Sequence, residues 1–124
     1  MRGLVLFAHG ARDARWARPF EAVAARIAAA RPEVAVRLAF LEFMTPGLVE
    51  AGSALARSGA TAIDIVPMFL GAGGHVRQDL PGLVDALRAA HPGLPVVLHP
   101  AIGEIDAVTR AMAEAIVATV EAPR

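Results

Sequence analysis

The chain contains no cysteine and no lysine. Without cysteine it has neither a disulfide nor a thiolate metal site, which agrees with a cytoplasmic location and does not require one. Every basic side chain is an arginine, and twelve basic residues stand against twelve acidic ones. A zero formal charge argues against a general nucleic-acid binder, so no nucleic-acid partner is expected. No apolar run approaches the ~18 residues that a membrane span needs. The N-terminus runs straight into Gly3-Leu4-Val5-Leu6-Phe7, with no long apolar segment leading to a cleavage site. Neither membrane insertion nor secretion is expected. Motifs of several large enzyme classes are missing too: there is no G-x-x-x-x-G-K phosphate loop, no G-x-S-x-G nucleophile elbow and no H-E-x-x-H helix.

What is present is largely apolar: 56% of the 124 residues. That excludes disorder and suits a sheet covered on both faces. The length allows one core and not two, so residues 1–124 are read as a single domain.

Residues 3–8 form an apolar run that ends at His9-Gly10 and read as a first strand. A basic loop follows, and the first helix is expected to open near Pro19, carrying Phe20, Val23, Ala24 and Ile27 at helical spacing. Val34, Val36, Leu38 and Phe40 alternate as a second strand, ending at Leu41-Glu42. Thr45-Pro46 is read as an N-cap and first-turn proline opening a helix that closes at Gly59. Ile63, Ile65 and Val66 make a third strand, followed by Gly71, Ala72, Gly73, Gly74 and His75. The glycines permit a sharp turn or close approach of a ligand, and Asp79-Leu80-Pro81 reads as the opener of the next helix. Residues 94–98 form a short fourth strand ending at His99-Pro100. The last helix is expected to bury Ile105, Val108, Met112, Ile116 and Val120. This β-α-β-α-β-α-β-α order predicts an α/β fold: three layers, α/β/α, around a four-stranded parallel sheet of flavodoxin-like type.

In a parallel sheet all strand carboxyl ends share one edge, where ligands of open α/β sheets bind. That edge receives His9, Glu42, His75 and His99. Two or three imidazoles with one carboxylate suit a divalent first-row metal. Each residue also has a structural reading. His9 could cap backbone groups, Glu42 could be a solvated loop carboxylate, and His99-Pro100 is either a turn or a ligand. His91, in the last helical turn before Pro92-Gly93, is read as structural. The second signal is basic: Arg12, Arg15 and Arg18 in the first loop and Arg77 beside His75. Guanidinium groups bind carboxylates bidentately, so a polycarboxylate ligand beside the metal site is inferred, although phosphate would satisfy the same side chains.

Three stretches carry a family resemblance: L-V-L-F-A-H-G-A-R-D at residues 4–13, F-L-E-F-M-T-P at 40–46, and V-P-M-F-L-G-A-G-G-H-V-R-Q-D-L-P at 66–81. In that order and spacing the chain resembles the short, single-domain class II tetrapyrrole chelatases, which are sirohydrochlorin cobalto-, ferro- or nickel-chelatases. The resemblance implies insertion of Co²⁺, Fe²⁺ or Ni²⁺, as substrate, into sirohydrochlorin for sirohaem, cobalamin or a nickel tetrapyrrole. It places the catalytic and metal-holding roles on His9, His75 and Glu42. Substrate contacts are expected from Arg12, Arg77, Gly73 and Gly74. No nucleotide or redox cofactor is implied. Ala11 stands where the family often has serine, and residues 99–103 match only its trailing Pro-x-x-Gly. One such domain offers only a rim to a flat macrocycle, so a homodimer is expected to supply the second wall. Phe43, Met44, Met68, Phe69 and Leu70 are its candidate contacts, or the bed of the ring. The competing reading is a non-catalytic metal-binding or delivery protein using the same rim. A small-ligand enzyme holding phosphate in the glycine turn is a third.

Overall fold

The computed structural model describes residues 1–71 and 73–123, with the side chain of His75 outside that set. Four strands, β1 (Arg2–Ala8), β2 (Val34–Phe40), β3 (Ala62–Pro67) and β4 (Val96–Leu98), form one parallel sheet in the order β2-β1-β3-β4. Four helices, α1 (Arg18–Ala30), α2 (Leu48–Arg57), α3 (Gly74–Ala90) and α4 (Asp106–Glu121), connect or follow them. The three-layer α/β expectation is met.

The two sheet faces are filled unequally. Alternation along the strands sends Val5, Phe7, Ile63 and Ile65 to one face, where they pack with Leu48, Leu55, Val84 and Leu87 of α2 and α3. All eight are almost wholly removed from water, each stabilising the fold by about 1.5–3 kcal/mol on simple burial arguments. Gly52 of α2 faces Leu87 so closely that a Cβ would lie 2.6 Å from its methyl groups. This is why the two helices can approach.

On the other face Phe20 of α1 stacks against Trp16, ring centres 4.7 Å apart, and both pack on Ala8, Ala17 and Phe40. Beside them lies an apolar groove of about 770 Å³ bounded by Leu4, Leu6, Val66 and Met68 of the sheet side, Pro19, Phe20, Val23 and Ile27 of α1, and Val108 and Met112 of α4. Among the described residues α4 has no buried side chain, and Ile105, Ile116 and Val120 are exposed. The expected buried stripe of the last helix is therefore incorrect. The stripe exists at helical spacing, but α4 packs mainly against the 3-10 turn Ile102–Glu104 and leaves the groove open.

Two helix starts also differ from expectation. Thr45 is not the cap of α2: the Thr45–Pro46 bond is cis, Gly47 is the N-cap, and the Pro46 carbonyl accepts the Phe40 N–H at 2.9 Å. That bond holds residue 46 beside the strand rather than in a first turn. Likewise α3 opens at Gly74, not at Asp79-Leu80-Pro81. Gly73 is extended and its carbonyl accepts the Arg77 N–H at 3.0 Å, closing the first turn. Burial of Val76, Leu80, Val84 and Leu87 along one face carries the helix through Pro81, which has no N–H to offer the Arg77 carbonyl.

Candidate functional site

In the observed strand order the chain leaves β1 toward β2 on one side, and β3 lies on the other. The crevice beyond the carboxyl ends of β1 and β3 is thus the switch point at which such sheets bind ligands. His9 follows β1 directly. The Met68 N–H donates to the Phe7 carbonyl at 2.7 Å, which keeps the β3 exit alongside that of β1.

Glu42 is brought to His9 by backbone pairing that outlasts β2. The N–H groups of Leu41 and Glu42 donate to the carbonyls of Ala8 and His9 at 2.9 and 3.1 Å. Gly10 makes this possible. Its φ is +96°, and a Cβ there would sit 1.9 Å from the Glu42 carbonyl oxygen. The side chains then meet, with His9 Nε2 2.9 Å from Glu42 Oε1. Both are a little over 40% exposed, so the pair is open to solvent ligands. Against a carboxylate only the imidazole can supply the proton, which leaves the lone pair of a neutral ring on Nδ1.

His75 lies in the first turn of α3 rather than on a turn before it, because the helix begins at Gly74. Its side chain, expected in the metal set, lies outside the described residues. Among the described residues no group of three or more metal-type side chains gathers. His99 follows β4 and pairs with Asp64 rather than with His9 or Glu42. Its Nε2 lies 2.8 Å from Asp64 Oδ1, and the residue borders both the hollow beside Arg2 and Leu4 and the cavity beside Arg77. His91 is structural as expected, 2.8 Å from the Ser53 hydroxyl.

The arginines separate. Arg12 lies over the ring of Phe43, 4.6 Å from its centre. Arg15 is occupied by Asp13, which also caps the 3-10 turn Ala14–Ala17, and that hydrogen bonding holds the Asp13 carboxyl below its usual range. Arg77 is exposed and borders a cavity of about 230 Å³ between α3 and the β4 exit, with Phe69, Leu98 and Glu104 among its walls. This is smaller than the ~300–1,000 Å³ of common ligand pockets, and neither His9 nor Glu42 lines it. Gly73 and Gly74 have negative or unremarkable φ and open space where a Cβ would go. The positive-φ glycine of the rim is Gly10, whereas Gly73 and Gly74 are the N-cap and first residue of α3.

Two features were not singled out from sequence. Gly103 donates its N–H to the Phe69 carbonyl, and a Cβ would lie 2.0 Å from the Leu70 carbonyl oxygen, so the β4 exit is locked under the β3 exit. The Pro-x-x-Gly at residues 100–103 was its trace. The other is Asp64, a carboxylate inside an apolar strand with a side chain only 14% exposed. Such a residue signals a paired charge. Arg2 donates to it at 2.5 and 3.1 Å. The Arg2 hydrogen bond holds the Asp64 carboxyl below the usual range; burial opposes this and His99 adds to it. Of the apolar rim candidates, Phe69 is buried and Met44 and Met68 are half-buried against the sheet, while Phe43 and Leu70 are exposed.

A doubly wound α/β sheet with an imidazole–carboxylate pair open at its switch-point rim is the class this architecture defines. The family pattern described as CbiX matches residues 3–119, and the chain belongs to the CbiX family. A sirohydrochlorin cobaltochelatase of Methanosarcina acetivorans is 34% identical over 83 residues, covering 67% of this chain and 64% of its own length. The chain therefore spans a little under two thirds of that relative. A second sirohydrochlorin cobaltochelatase, from Sulfurisphaera tokodaii, is 27% identical over 116 residues, covering 92% and 90%. Among solved structures, a CbiX protein from Marinobacter aquaeolei VT8 superposes with a TM-score of 0.83 at 30% identity, over 98% of both chains. SirB from Bacillus subtilis with Fe³⁺ gives 0.79 at 22% identity, over 99% of this chain and 49% of SirB, a likeness of fold.

Proposed function

We propose that this chain inserts a divalent metal ion, cobalt, iron or nickel, into sirohydrochlorin. The observation that carries the reading is the His9–Glu42 pair at the β1 and β2 exits, 2.9 Å apart and open to solvent. Insertion exchanges two ring N–H protons for one M²⁺ ion, while the ion sheds water. With Glu42 fixing Nε2, the Nδ1 lone pair of His9 can hold the incoming metal or take a proton from the ring. His75, two residues past the Gly73 cap, is assigned the second nitrogen ligand on sequence grounds. Arg12 and Arg77 are assigned to the acetate and propionate groups of the ring. The curated relatives bear the name of this activity, which supports the assignment.

The same proposal includes a cytoplasmic location; among the described residues no helix is long and apolar enough to cross a membrane. It also includes a homodimer. The rim is open, and neither the groove nor the cavity beside Arg77 encloses His9, so a second copy supplies the wall a flat ligand needs. Exposed Ile116, Val117 and Val120 on α4 favour self-association.

The test is the absorbance of sirohydrochlorin on adding protein and Co²⁺. Metal-dependent conversion faster than the protein-free rate is expected. Co²⁺ binding with no acceleration would instead favour a delivery protein. Sedimentation at micromolar concentration tests the assembly: a monomer inserting metal at full rate removes the second wall from the proposal.

A further inference from the structure

Phe43 is the one non-glycine residue among those described with positive φ, at +67°. A bulky aromatic residue is a poor occupant of the left-handed region, since its Cβ crowds the following carbonyl. Burial does not compensate here, because Phe43 is 55% exposed. The local backbone would be satisfied better by glycine or asparagine, and the contact the ring makes with Arg12 is an exposed one. Sparsely populated backbone states of this kind cluster where a ligand is held.

The surroundings indicate the ligand. Phe43 directly follows Glu42, and the Arg12 guanidinium sits 4.6 Å from its ring centre, a cation stacked on an aromatic face. In the order β2-β1-β3, His9 leaves the sheet between the β2 exit, which bears Phe43, and the β3 exit, which bears Leu70. Leu70 is 68% exposed, and its backbone is pinned by Gly103. The strands on either side of β1 thus each lead to a solvent-facing apolar residue, Phe43 with its stacked cation after β2 and Leu70 at the mouth of the apolar groove after β3. A flat conjugated ring with peripheral carboxylates matches that sequence of surfaces.

We infer that Phe43 is a substrate-positioning residue: with Leu70 it forms the apolar bed on which a tetrapyrrole ring lies over His9, and Arg12 on the phenyl face takes a peripheral carboxylate. This rests on the sirohydrochlorin reading above and adds to it the residue that seats the ring.

The experiment compares wild type, Phe43→Gly and Phe43→Asn in sirohydrochlorin titrations, Co²⁺ titrations without tetrapyrrole, and thermal unfolding. Both variants suit a positive φ, so both are expected to fold with a melting temperature at or above that of wild type. Sirohydrochlorin affinity should fall about five- to tenfold, the size of an aromatic contact, with Co²⁺ affinity unchanged. Phe43→Trp should stay within about twofold of wild type, since it keeps the aromatic face. Wild-type affinity in the folded Phe43→Gly protein overturns the inference and leaves the functional reading intact. An equal loss of Co²⁺ binding also overturns it, because Phe43 would then be supporting Glu42 rather than seating a ring. Failure of wild type to bind sirohydrochlorin overturns the functional reading itself, and this inference with it.

Discussion

His9 and Glu42 are joined twice, once through the Glu42 N–H and the His9 carbonyl at 3.1 Å and once through their side chains at 2.9 Å. The backbone bond extends the β1–β2 ladder one step past the strands, and the side-chain bond fixes which imidazole nitrogen faces outward. A side-chain pair built on strand ends in this way is held by pairing that continues from the sheet. Its orientation is inherited from β1, whose Val5 and Phe7 are wholly buried.

Replacing His9 by Ala should lower metal insertion by at least about 100-fold and change stability by no more than about 0.5 kcal/mol, as for other exposed positions. Glu42→Gln should weaken metal affinity about 10- to 100-fold, the usual effect of removing a ligand's orienting partner. His75→Ala is expected to abolish insertion with the fold intact. Stopped-time absorbance assays and thermal melts read both properties; insertion at the wild-type rate by His9→Ala would place the chemistry elsewhere.

Gly10→Ala should act on structure and site together. The new Cβ meets the Glu42 carbonyl oxygen at 1.9 Å in a backbone conformation that L residues rarely adopt. A loss of about 1–3 kcal/mol is expected from the strain, seen as a lower denaturant midpoint. Metal affinity should fall in parallel as Glu42 is pushed from His9. Undiminished metal binding would show that the Glu42 position is not set by Gly10.

Asp64 makes stability depend on acid. Its folded-state pKa is depressed, chiefly by the Arg2 hydrogen bond, so the unfolded chain binds protons more readily. The stabilisation is present above the unfolded value of about 3.9 and is lost as pH falls through the lower folded value. Asp64→Asn should cost about 1–3 kcal/mol at neutral pH and flatten the stability profile below pH about 4. Denaturation curves across pH 2–7 (about the carboxylate range and above) give the comparison. Equal acid slopes in variant and wild type would assign the sensitivity to other carboxylates.

Arg77→Ala should raise KM for sirohydrochlorin and make it less sensitive to salt, because an exposed charge contact is screened. A salt series on kcat and KM separates the cases: an effect confined to kcat would move Arg77 from binding to chemistry.

Much of the fold is written in local pattern. The alternation of apolar runs with helical periodicity gave all four strands and all four helices, and a parallel sheet must collect strand ends on one rim. His9, Glu42 and the loop leading to His75 are therefore grouped by the sequence pattern alone. Helix starts were less legible. Pro46 and Pro81 are both compatible with a first helical turn, and the choice was made by contacts outside the local sequence: the Phe40 N–H captures residue 46, and the buried face of Val76 and Leu80 draws α3 five residues earlier.

The amino-acid sequence by itself determined the order of elements, the sheet type and which chemically capable residues lie at its carboxyl edge, because these follow from chain periodicity and strand direction. Tertiary structure decided which of those residues meet. His9 found Glu42 because Gly10 admits the Glu42 carbonyl. His99 turned instead to Asp64, which Arg2 holds from the neighbouring strand. An apolar stripe was no guide to burial in α4, since burial depends on a facing surface and the sheet beneath is left as an open groove. Side-chain partners across strands are separated by 33 residues for His9 and Glu42 and by 35 for Asp64 and His99. No local pattern encodes such pairings; they are fixed only when the sheet register is.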